Sequence, residues 1–233
     1  MFITLEGIEG SGKTTQLKRL ASLLVQNGHP TVVTREPGDT AIGKKIRAIL
    51  LNPENNGMSD LCELFLYGAD RAQHLAEVII PALSSGRTVV CDRFIDATTV
   101  YQGAARGISK ELIDIVHSVV VKDLRPDLTI LFDLDPETGL ARTEKALADG
   151  ARSFDESRFE REALEFHRRV REGYLALAAG ERDRFLVIDG GKTPDQVFHA
   201  IVTGMNRSLG IDLVESHPDS DPDSVKIHPW NRG

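Results

Sequence analysis

The stretch Gly7-Ile8-Glu9-Gly10-Ser11-Gly12-Lys13-Thr14 decides the fold of this chain of 233 residues. It matches the pattern G-x-x-x-x-G-K-[ST], in which glycines let the backbone turn sharply and aim its N–H groups at phosphate oxygens. The apolar segment FITLE comes directly before it, and an amphipathic segment follows it. The loop therefore joins a predicted strand to the N-terminus of a predicted helix, whose partial positive charge attracts anions. This context predicts a binding loop for the phosphates of a nucleoside triphosphate.

Two side chains of this loop have expected roles in handling the triphosphate. Lys13 would reach the β- and γ-phosphates, and the hydroxyl of Thr14 would bind Mg²⁺. The set of residues expected to bind ATP is Gly7, Ile8, Glu9, Gly10, Ser11, Gly12, Lys13, Thr14 and Thr15. The loop does not identify the phosphate acceptor, because motors, GTPases and kinases share it.

Five short apolar runs show how the rest of the chain is built. They lie at Phe2–Leu5, Thr31–Thr34, Thr88–Cys91, Leu128–Leu134 and Phe185–Ile188. They alternate little with polar residues, as strands do when both of their faces are covered. Helical patterns lie between them. We therefore expect an α/β protein with a P-loop NTPase fold, in which helices flank both faces of a five-stranded parallel sheet.

An acidic residue, Asp92, ends the third apolar run. A carboxylate at the carboxyl end of a core strand lies beside the phosphate site of an open α/β sheet. There it could support Mg²⁺ directly or through water. The alternative is that Asp92 only caps the turn that follows the strand.

Composition and charge argue against several other classes of protein. The formal net charge of −7 is opposite to the basic face typical of nucleic-acid-binding proteins. No apolar run reaches the roughly 18 residues of a membrane span, and Met1 leads into FITLEG without the regions of a secretion signal. Cys62 and Cys91 have neither C-x-x-C nor metal-ligand spacing, which favours reduced thiols. We expect a cytoplasmic protein without a nucleic-acid or membrane partner.

The pattern divides the chain into one large domain and a short tail. Residues 1–210 carry the alternating strands and helices. Within them, the charged segment at about 142–158 precedes a long amphipathic helix, and we interpret it as a mobile, partly helical lid. Residues 211–233 are rich in Pro, Asp and Ser, so we expect them to be poorly ordered or to lie over the surface.

Four further motifs single out a family. They are Arg35-Glu36-Pro37-Gly38, Tyr67-Gly68-Ala69-Asp70-Arg71-Ala72-Gln73-His74, Asp92-Arg93-Phe94 and Tyr101-Gln102-Gly103. With the glycine-rich loop, their order and spacing resemble thymidylate kinase from Phe2 to about Asn206. The resemblance is to the bacterial branch, in which the position of Gly10 is small and the catalytic arginine comes from the lid. It implies transfer of the γ-phosphoryl group of ATP, with Mg²⁺, to dTMP.

The resemblance also assigns residues to the acceptor phosphate and to catalysis. Arg35 and Arg93 match arginines that contact the acceptor phosphate, and the second lies close to the transferred group. Arg47 is a weaker match, because its helix could present it to solvent. Glu9 matches a carboxylate that approaches the acceptor sugar. Outside the lid, the resemblance thus implies that Lys13, Arg93 and Glu9 are catalytic.

A pyrimidine site is implied in the same way. Tyr67 and Arg71 stand four residues apart, so they share one face of a predicted helix. By the resemblance, the first stacks on thymine and the second donates a hydrogen bond to its O4. Thr98 matches a residue at the base edge, and Tyr101 matches an aromatic residue that crowds the 2′ position of the sugar. The implied dTMP-binding set is Glu9, Arg35, Arg47, Tyr67, Arg71, Arg93, Thr98, Tyr101 and Gln102.

The chain departs from the family in two places. The lid carries Arg142, Lys145, Arg152 and Arg158 and reads a few residues longer than usual. We expect Arg152 to be its catalytic arginine, with the other two arginines as alternatives. Asp39 stands where the family usually has a second glycine. The resemblance further implies a homodimer packed through helices.

Two other functions stay open at this point. A related P-loop kinase could phosphorylate another deoxynucleotide or a deoxynucleoside. A nucleotide-binding module could hold ATP without transferring its phosphate, although such a module needs no second site lined by arginines.

Overall fold

The computed structural model describes residues 1–150 and 157–215. A sheet of five parallel strands lies at its centre, in the order β2-β3-β1-β4-β5. The strands are β1 Phe2–Gly7, β2 Thr31–Arg35, β3 Thr88–Asp92, β4 Leu128–Asp133 and β5 Phe185–Asp189. The predicted parallel α/β sheet is thus confirmed, and the predicted strand ends differ from these by one or two residues.

Nine α-helices connect and cover the strands in the described part of the chain. They are α1 Lys13–Gln26, α2 Ala41–Leu51, α3 Asp60–His74, α4 Ile80–Ser84, α5 Ile95–Thr98, α6 Lys110–Val120, α7 Pro136–Ala148, α8 Leu164–Gly180 and α9 Pro194–Leu209. Two π-helical segments, Leu75–Ile79 and Thr99–Ala105, continue α3 and α5. Short 3-10 turns lie at Pro53–Asn55 and Phe159–Arg161.

Apolar cores lie on both faces of the sheet. On one face, side chains of α1 and α9 such as Leu20 and Ile201 pack against strand residues. On the other face, α8 and the π-helical segment after α5 supply Val170 and Val100. Because both faces are covered, the strands carry almost continuous apolar runs.

Strand register brings the functional motifs to one edge of the sheet. Arg35 pairs with Asp92 across β2 and β3, and Asp92 pairs with Leu5 across β3 and β1. The glycine-rich loop leaves β1 two residues later. The carboxyl ends of these three parallel strands therefore meet at one crevice, where open α/β sheets bind their ligands.

The segment after α9 is anchored as far as the structure describes it. The backbone of Leu213 exchanges hydrogen bonds of 2.8 and 3.0 Å with the Asn206 side chain, and Val214 does so with Asn27 at 3.0 and 3.3 Å. Leu213 is buried with α1 and α9. The start of the predicted tail thus lies over the domain surface. In the described ranges, no helix has both the length and the apolar character of a membrane span.

Candidate active site

The glycine-rich loop holds its lysine through hydrogen bonds to its own atoms. The Lys13 ammonium donates to the carbonyl oxygens of Gly7 and Ile8 at 2.9 and 2.8 Å and to the Ser11 hydroxyl at 3.3 Å. Burial and the neighbouring Arg93 guanidinium lower the pKa of Lys13 to about 8. The ammonium is therefore preorganised at the place where phosphate oxygens would replace these acceptors.

Gly10 lies where no side chain fits. Its φ is +71°, and a Cβ would stand 2.1 Å from the carbonyl oxygen of Gly139 in α7. A left-handed φ strains every residue except glycine, and the contact adds a steric clash. The small residue at this position is therefore required by the packing of α7 against the loop.

The acid inside the phosphate loop has a structural explanation. Glu9 Oε1 accepts from Arg93 Nη2 at 2.8 Å, and the Tyr101 hydroxyl lies 2.8 and 3.0 Å from its two oxygens. Burial by itself would raise the pKa of Glu9, but Arg93, His167 and Lys13 hold it well below its ordinary range. Glu9 is thus an ionised anchor that orients an arginine and a tyrosine.

Arg93 is fixed in an unusual backbone conformation at the end of β3. Its φ is +69°, and such values are uncommon for residues other than glycine. Its N–H donates to the Leu5 carbonyl at 3.0 Å, and the next N–H, that of Phe94, donates to Glu6 at 2.8 Å. Its side chain also donates to the Tyr174 hydroxyl at 3.3 Å. Backbone and side chain together aim the guanidinium into the cleft.

The far end of the cleft presents a second, buried guanidinium. Arg71 donates to Glu36 at 2.8 Å, to the Thr98 hydroxyl at 3.0 Å and to the Phe94 carbonyl at 2.9 Å. A guanidinium has five N–H donors. The two others have no hydrogen-bond partner among the described residues and are available to a ligand. Tyr67, one turn earlier in α3, is half-buried and lines the same cleft.

These groups surround one cleft of about 660 Å³. The predicted site residues that line it are Glu9, Gly10, Ser11, Gly12, Lys13, Thr14, Thr15, Arg35, Arg47, Tyr67, Arg71, Asp92, Arg93, Thr98, Tyr101 and Gln102. Gly7 and Ile8 lie beneath the loop and contribute the carbonyl groups that hold Lys13. The sequence pattern therefore brings together one site from six separate segments of the chain.

Two of these lining residues donate hydrogen bonds to the protein, and a third is exposed. Arg47 donates to the Pro37 carbonyl at 2.9 Å, so its helix turns it inward rather than only toward solvent. The Gln102 amide donates to Glu63 at 2.8 Å. Arg35 is exposed at the end of β2, beside the cleft.

The metal-site residues fit a cation bound with phosphates. The Oδ1 atom of Asp92 is buried and has no hydrogen-bond partner in the described part of the chain. The side chain of Thr14 is exposed and lines the same cleft. Carboxylate and hydroxyl oxygens are ligands that suit Mg²⁺.

The lid arginines have different surroundings. Arg152 lies outside the described residues. Arg142 lines the cleft and donates to the carbonyl groups of Gly10 and Gly190 at 3.4 and 3.1 Å. Arg158 is buried, where it donates to Glu63 at 2.6 Å and to the Leu50 carbonyl. Its contacts are those of a structural ion pair.

Several residues that support the site were not identified from the sequence. Glu36 and His74 lie inside quoted motifs, yet no role was predicted for them. The Tyr174 hydroxyl accepts from Arg93 and donates to Glu6, and His167 lies 3.6 Å from Glu9. Only the presence of Glu6 in an apolar strand was a signal, since an acid there requires buried partners.

Comparisons with known proteins identify the family of this chain. The family model described as thymidylate kinase matches residues 5–201. A thymidylate kinase of Desulforapulum autotrophicum is 80% identical over 233 residues, which are 100% of both chains. A thymidylate kinase of Desulfosudis oleivorans is 54% identical over 207 residues, 89% of this chain and 97% of the relative.

A solved structure gives the same answer for the fold. The crystal structure of thymidylate kinase from Ehrlichia chaffeensis superposes with a TM-score of 0.68 at 34% identity, covering 87% of this chain and 97% of the other. The family model, the relatives and the structural neighbour all carry one name. The chain therefore belongs to the thymidylate kinase family, the nucleoside-monophosphate kinases that phosphorylate dTMP with ATP.

Proposed function

We propose that this chain carries out the family reaction in the cleft described above, with ATP on the glycine-rich loop and dTMP between Arg93 and Arg71. The observation that carries this proposal is the shape of the site. A phosphate loop and a second region lined by the guanidinium groups of Arg71 and Arg93 open into the same cleft. A protein that only bound ATP would need the first region and not the second.

The acceptor phosphate would be held by arginines at the strand ends. Arg93 is held by Glu9 and Tyr174, and Arg35 and Arg47 line the same cleft. Converging cations stabilise the charge that develops on the transferred phosphoryl group. Because Glu9 keeps its charge, it offsets part of this positive field and holds Arg93 in place for the acceptor.

The thymine base would lie against α3. The two free N–H groups of Arg71 supply donors to O4 of thymine, whereas cytosine presents its own donor there. Tyr67 offers an aromatic face, and Thr98 lies at the base edge, where it also accepts from Arg71. Tyr101 crowds the sugar, its hydroxyl directed at Glu9.

Mg²⁺ would bind with the phosphates of ATP beside Thr14 and Asp92. Its chemistry is to bridge and neutralise the donor phosphate oxygens. The protein supplies a hydroxyl at the start of α1 and an unpartnered carboxylate oxygen at the end of β3. Asp92 would act directly or through water.

The transfer itself needs little covalent chemistry from the protein. A phosphate monoester has its second pKa near 6, so the acceptor oxygen is already ionised at neutral pH and no strong base is required. Catalysis then consists of alignment, neutralisation of charge and exclusion of water by the lid. Arg152 is our proposed lid arginine, in keeping with the bacterial branch.

The substrate assignment is tested by ADP release with Mg·ATP against dTMP, dUMP, dCMP, dGMP, AMP and thymidine. We expect strong turnover with dTMP, weaker turnover with dUMP and none above background with the others. Turnover with a different acceptor would move the function to another kinase of the fold. ATP binding without any acceptor-dependent release would indicate a binding module.

The lid assignment is tested with three alanine variants. Arg152→Ala should lower kcat on the order of 10³-fold with unchanged thermal stability. Arg158→Ala should instead destabilise the fold by about 3 kcal/mol or more, because it leaves Glu63 buried without this partner. Arg142→Ala tests whether Arg142, rather than Arg152, is the catalytic arginine of the lid. If only this third variant loses kcat, Arg142 rather than Arg152 is the catalytic lid residue.

A homodimer and a cytoplasmic location complete the proposal. Helix α3 packs against α2 and α6, and these three neighbours expose large apolar side chains. They are Ile42, Ile49, Leu61, Phe65, Ile115 and Val119, with 46 to 72% exposure. We assign this face, named the α2–α3–α6 face, to a second copy of the chain. The thiols of Cys62 and Cys91 are free, as is usual in a reducing compartment.

A further inference from the structure

A chain of hydrogen bonds runs behind the arginine that faces the base. Arg71 Nε donates to Glu36 Oε2 at 2.8 Å, and the other oxygen of that carboxylate lies 2.9 Å from His74 Nδ1. His74 Nε2 lies 2.5 Å from the Thr34 hydroxyl, which donates to Asp39 Oδ2 at 2.6 Å. The first four members are almost fully buried, so water does not substitute for any of these contacts.

The number of protons available to this series of hydrogen bonds determines the protonation state of the His74 ring. An ionised carboxylate only accepts hydrogen bonds, and a threonine hydroxyl has a single proton to donate. With Asp39 ionised, Thr34 gives that proton to Asp39, so His74 Nε2 must be the donor to Thr34. Glu36 accepts from Arg71 on one oxygen, and its pKa is lowered despite burial by Arg71 and His74. His74 Nδ1 must therefore donate as well, and the ring carries two protons.

The charges of the surrounding groups support the same conclusion. The acids that face the ring are Glu36, Asp39 through Thr34, and Asp70, whose pKa burial and Glu36 raise to about 6. Arg71 is the cation that shares Glu36 with the ring. If the His74 ring were neutral, Arg71 would be the one positive charge facing the carboxylates of Glu36, Asp39 and, when ionised, Asp70, in a largely buried cluster. A positive ring brings the cluster close to neutrality, as buried charges require.

We propose that His74 is a buried imidazolium that positions Arg71 for the base, and that Asp39 keeps it protonated. The role of Arg71 rests on the proposed function, whereas the protonation state rests on the hydrogen bonds and charges around the ring. The imidazolium donates to one oxygen of Glu36, so the other oxygen continues to accept from Arg71 Nε. The guanidinium of Arg71 is thereby held in one orientation, and its two remaining N–H groups point toward the base site. His74 is a positioning residue, because it touches neither substrate nor the reacting atoms.

Asp39 is the last member of this series of hydrogen bonds and lies in the loop between β2 and α2. Without its carboxylate, the Thr34 hydroxyl can turn and donate to His74 Nε2. The ring can then hold a single proton and bind Glu36 with Nδ1 alone. The alanine variant removes the acceptor without the added backbone freedom of glycine, and Asp39→Glu restores a carboxylate.

Nitrogen NMR of histidine-labelled protein tests the protonation state directly. The two ring nitrogens give similar shifts when both carry protons and widely separated shifts when one is bare. We expect His74 to show the first pattern, because both of its ring nitrogens face groups that accept hydrogen bonds. His74→Gln identifies the signal. A bare nitrogen on His74 in the unaltered protein would overturn the proposal.

Steady-state kinetics test the positioning role. Asp39→Ala should convert the His74 signal to the singly protonated pattern, raise the KM for dTMP by about 5- to 10-fold and narrow the preference for dTMP over dCMP. The kcat and the KM for ATP should stay within about 2-fold, and Asp39→Glu should recover the KM. His199→Gln is the matched control. If Asp39→Ala loses a proton from the His74 ring but keeps an unchanged KM for dTMP, His74 does not position Arg71. This outcome would hold even if the protein phosphorylates dTMP as proposed.

Discussion

At the scale of single residues, Arg93 carries the most demanding geometry of the site. Its guanidinium reaches both Glu9 and Tyr174 while its backbone adopts a left-handed φ. Lysine keeps the charge but has no planar fork to make two directed contacts and meet a phosphate. We expect Arg93→Lys to lower kcat by about 10²- to 10³-fold with little change in melting temperature.

The measurement for Arg93 is kcat by coupled ADP release, with thermal unfolding in parallel. Arg182→Lys changes an exposed arginine far from the motifs and should leave both values unaltered. Near-normal turnover of Arg93→Lys would show that charge alone suffices at this position.

Glu6 makes the stability of the fold depend on pH. Burial and the nearby Asp96 raise its pKa to about 7, although Tyr174 and Phe94 donate to its two oxygens. Between the ordinary value of about 4.5 and 7, the folded protein therefore binds more protons than the unfolded chain. Its stability must fall as the pH rises through this range.

Glutamine at position 6 should remove that dependence. Its amide can accept from Phe94 and donate to the Tyr174 oxygen, so the contacts survive without a titrating proton. We expect the loss of unfolding free energy between pH 5 and pH 8, measured by urea denaturation, to be smaller in Glu6→Gln by about 1–3 kcal/mol. The exposed Glu111→Gln is the control. Equal pH dependence in Glu6→Gln and the unaltered protein would contradict the prediction.

The contrast between Lys13 and Glu36 shows which residue roles can be predicted from the sequence. Lys13 and Thr14 belong to a contiguous motif whose local backbone dictates their place. Glu36 and His74 owe their roles to partners on β2, α3 and the loop after β2. Nothing in one sequence indicates such contacts, because they depend on how the helices pack.

At the scale of elements, the contact between the phosphate loop and α7 is a sensitive point. Gly10→Ala would add a methyl group 2.1 Å from the Gly139 carbonyl at a left-handed φ. The loop and α7 must then separate. We expect the KM for ATP to rise at least about 10-fold and the unfolding free energy to fall by about 2–4 kcal/mol.

Gly28→Ala is the matched control for this variant. Gly28 has a similar φ of +81°, but a Cβ there would meet nothing within 4 Å. It should cost about 1–2 kcal/mol from backbone strain and leave the KM for ATP unchanged. Equal effects of the two substitutions, by calorimetry and kinetics, would show that strain rather than the α7 contact matters at Gly10.

The strands were more predictable than their ends. Apolar runs located all five, since parallel strands bury both faces. The first run seemed to stop at Leu5 because Glu6 is charged, yet β1 continues to Gly7. Tyr174 and the Phe94 N–H satisfy that acid, so tertiary partners override the local pattern. The π-helical segments had no sequence signal that we could use.

At the scale of the whole molecule, the ligand cleft and the exposed apolar surface lie in different places around the sheet. Its carboxyl edge holds the cleft, and α3 serves both the cleft and the outer surface. Arg71 on the buried side of α3 lines the cleft where we propose that the base binds, while Leu61 and Phe65 on its other side are 49 and 57% exposed. A partner seated on the α2–α3–α6 face would thus stiffen the helix that carries the base-binding residues.

Disruption of the α2–α3–α6 face should both dissociate the dimer and weaken dTMP binding. Phe65→Glu places a charge among apolar side chains of two copies, where its desolvation is costly. We expect sedimentation velocity to show a dimer for the unaltered chain and a monomer for Phe65→Glu, with a lower melting temperature and a higher KM for dTMP. Val187→Glu alters another exposed apolar residue, on β5, and should leave the dimer intact. A chain that sediments as a monomer before any substitution would remove the α2–α3–α6 face as an interface and leave the arrangement of the cleft unaffected.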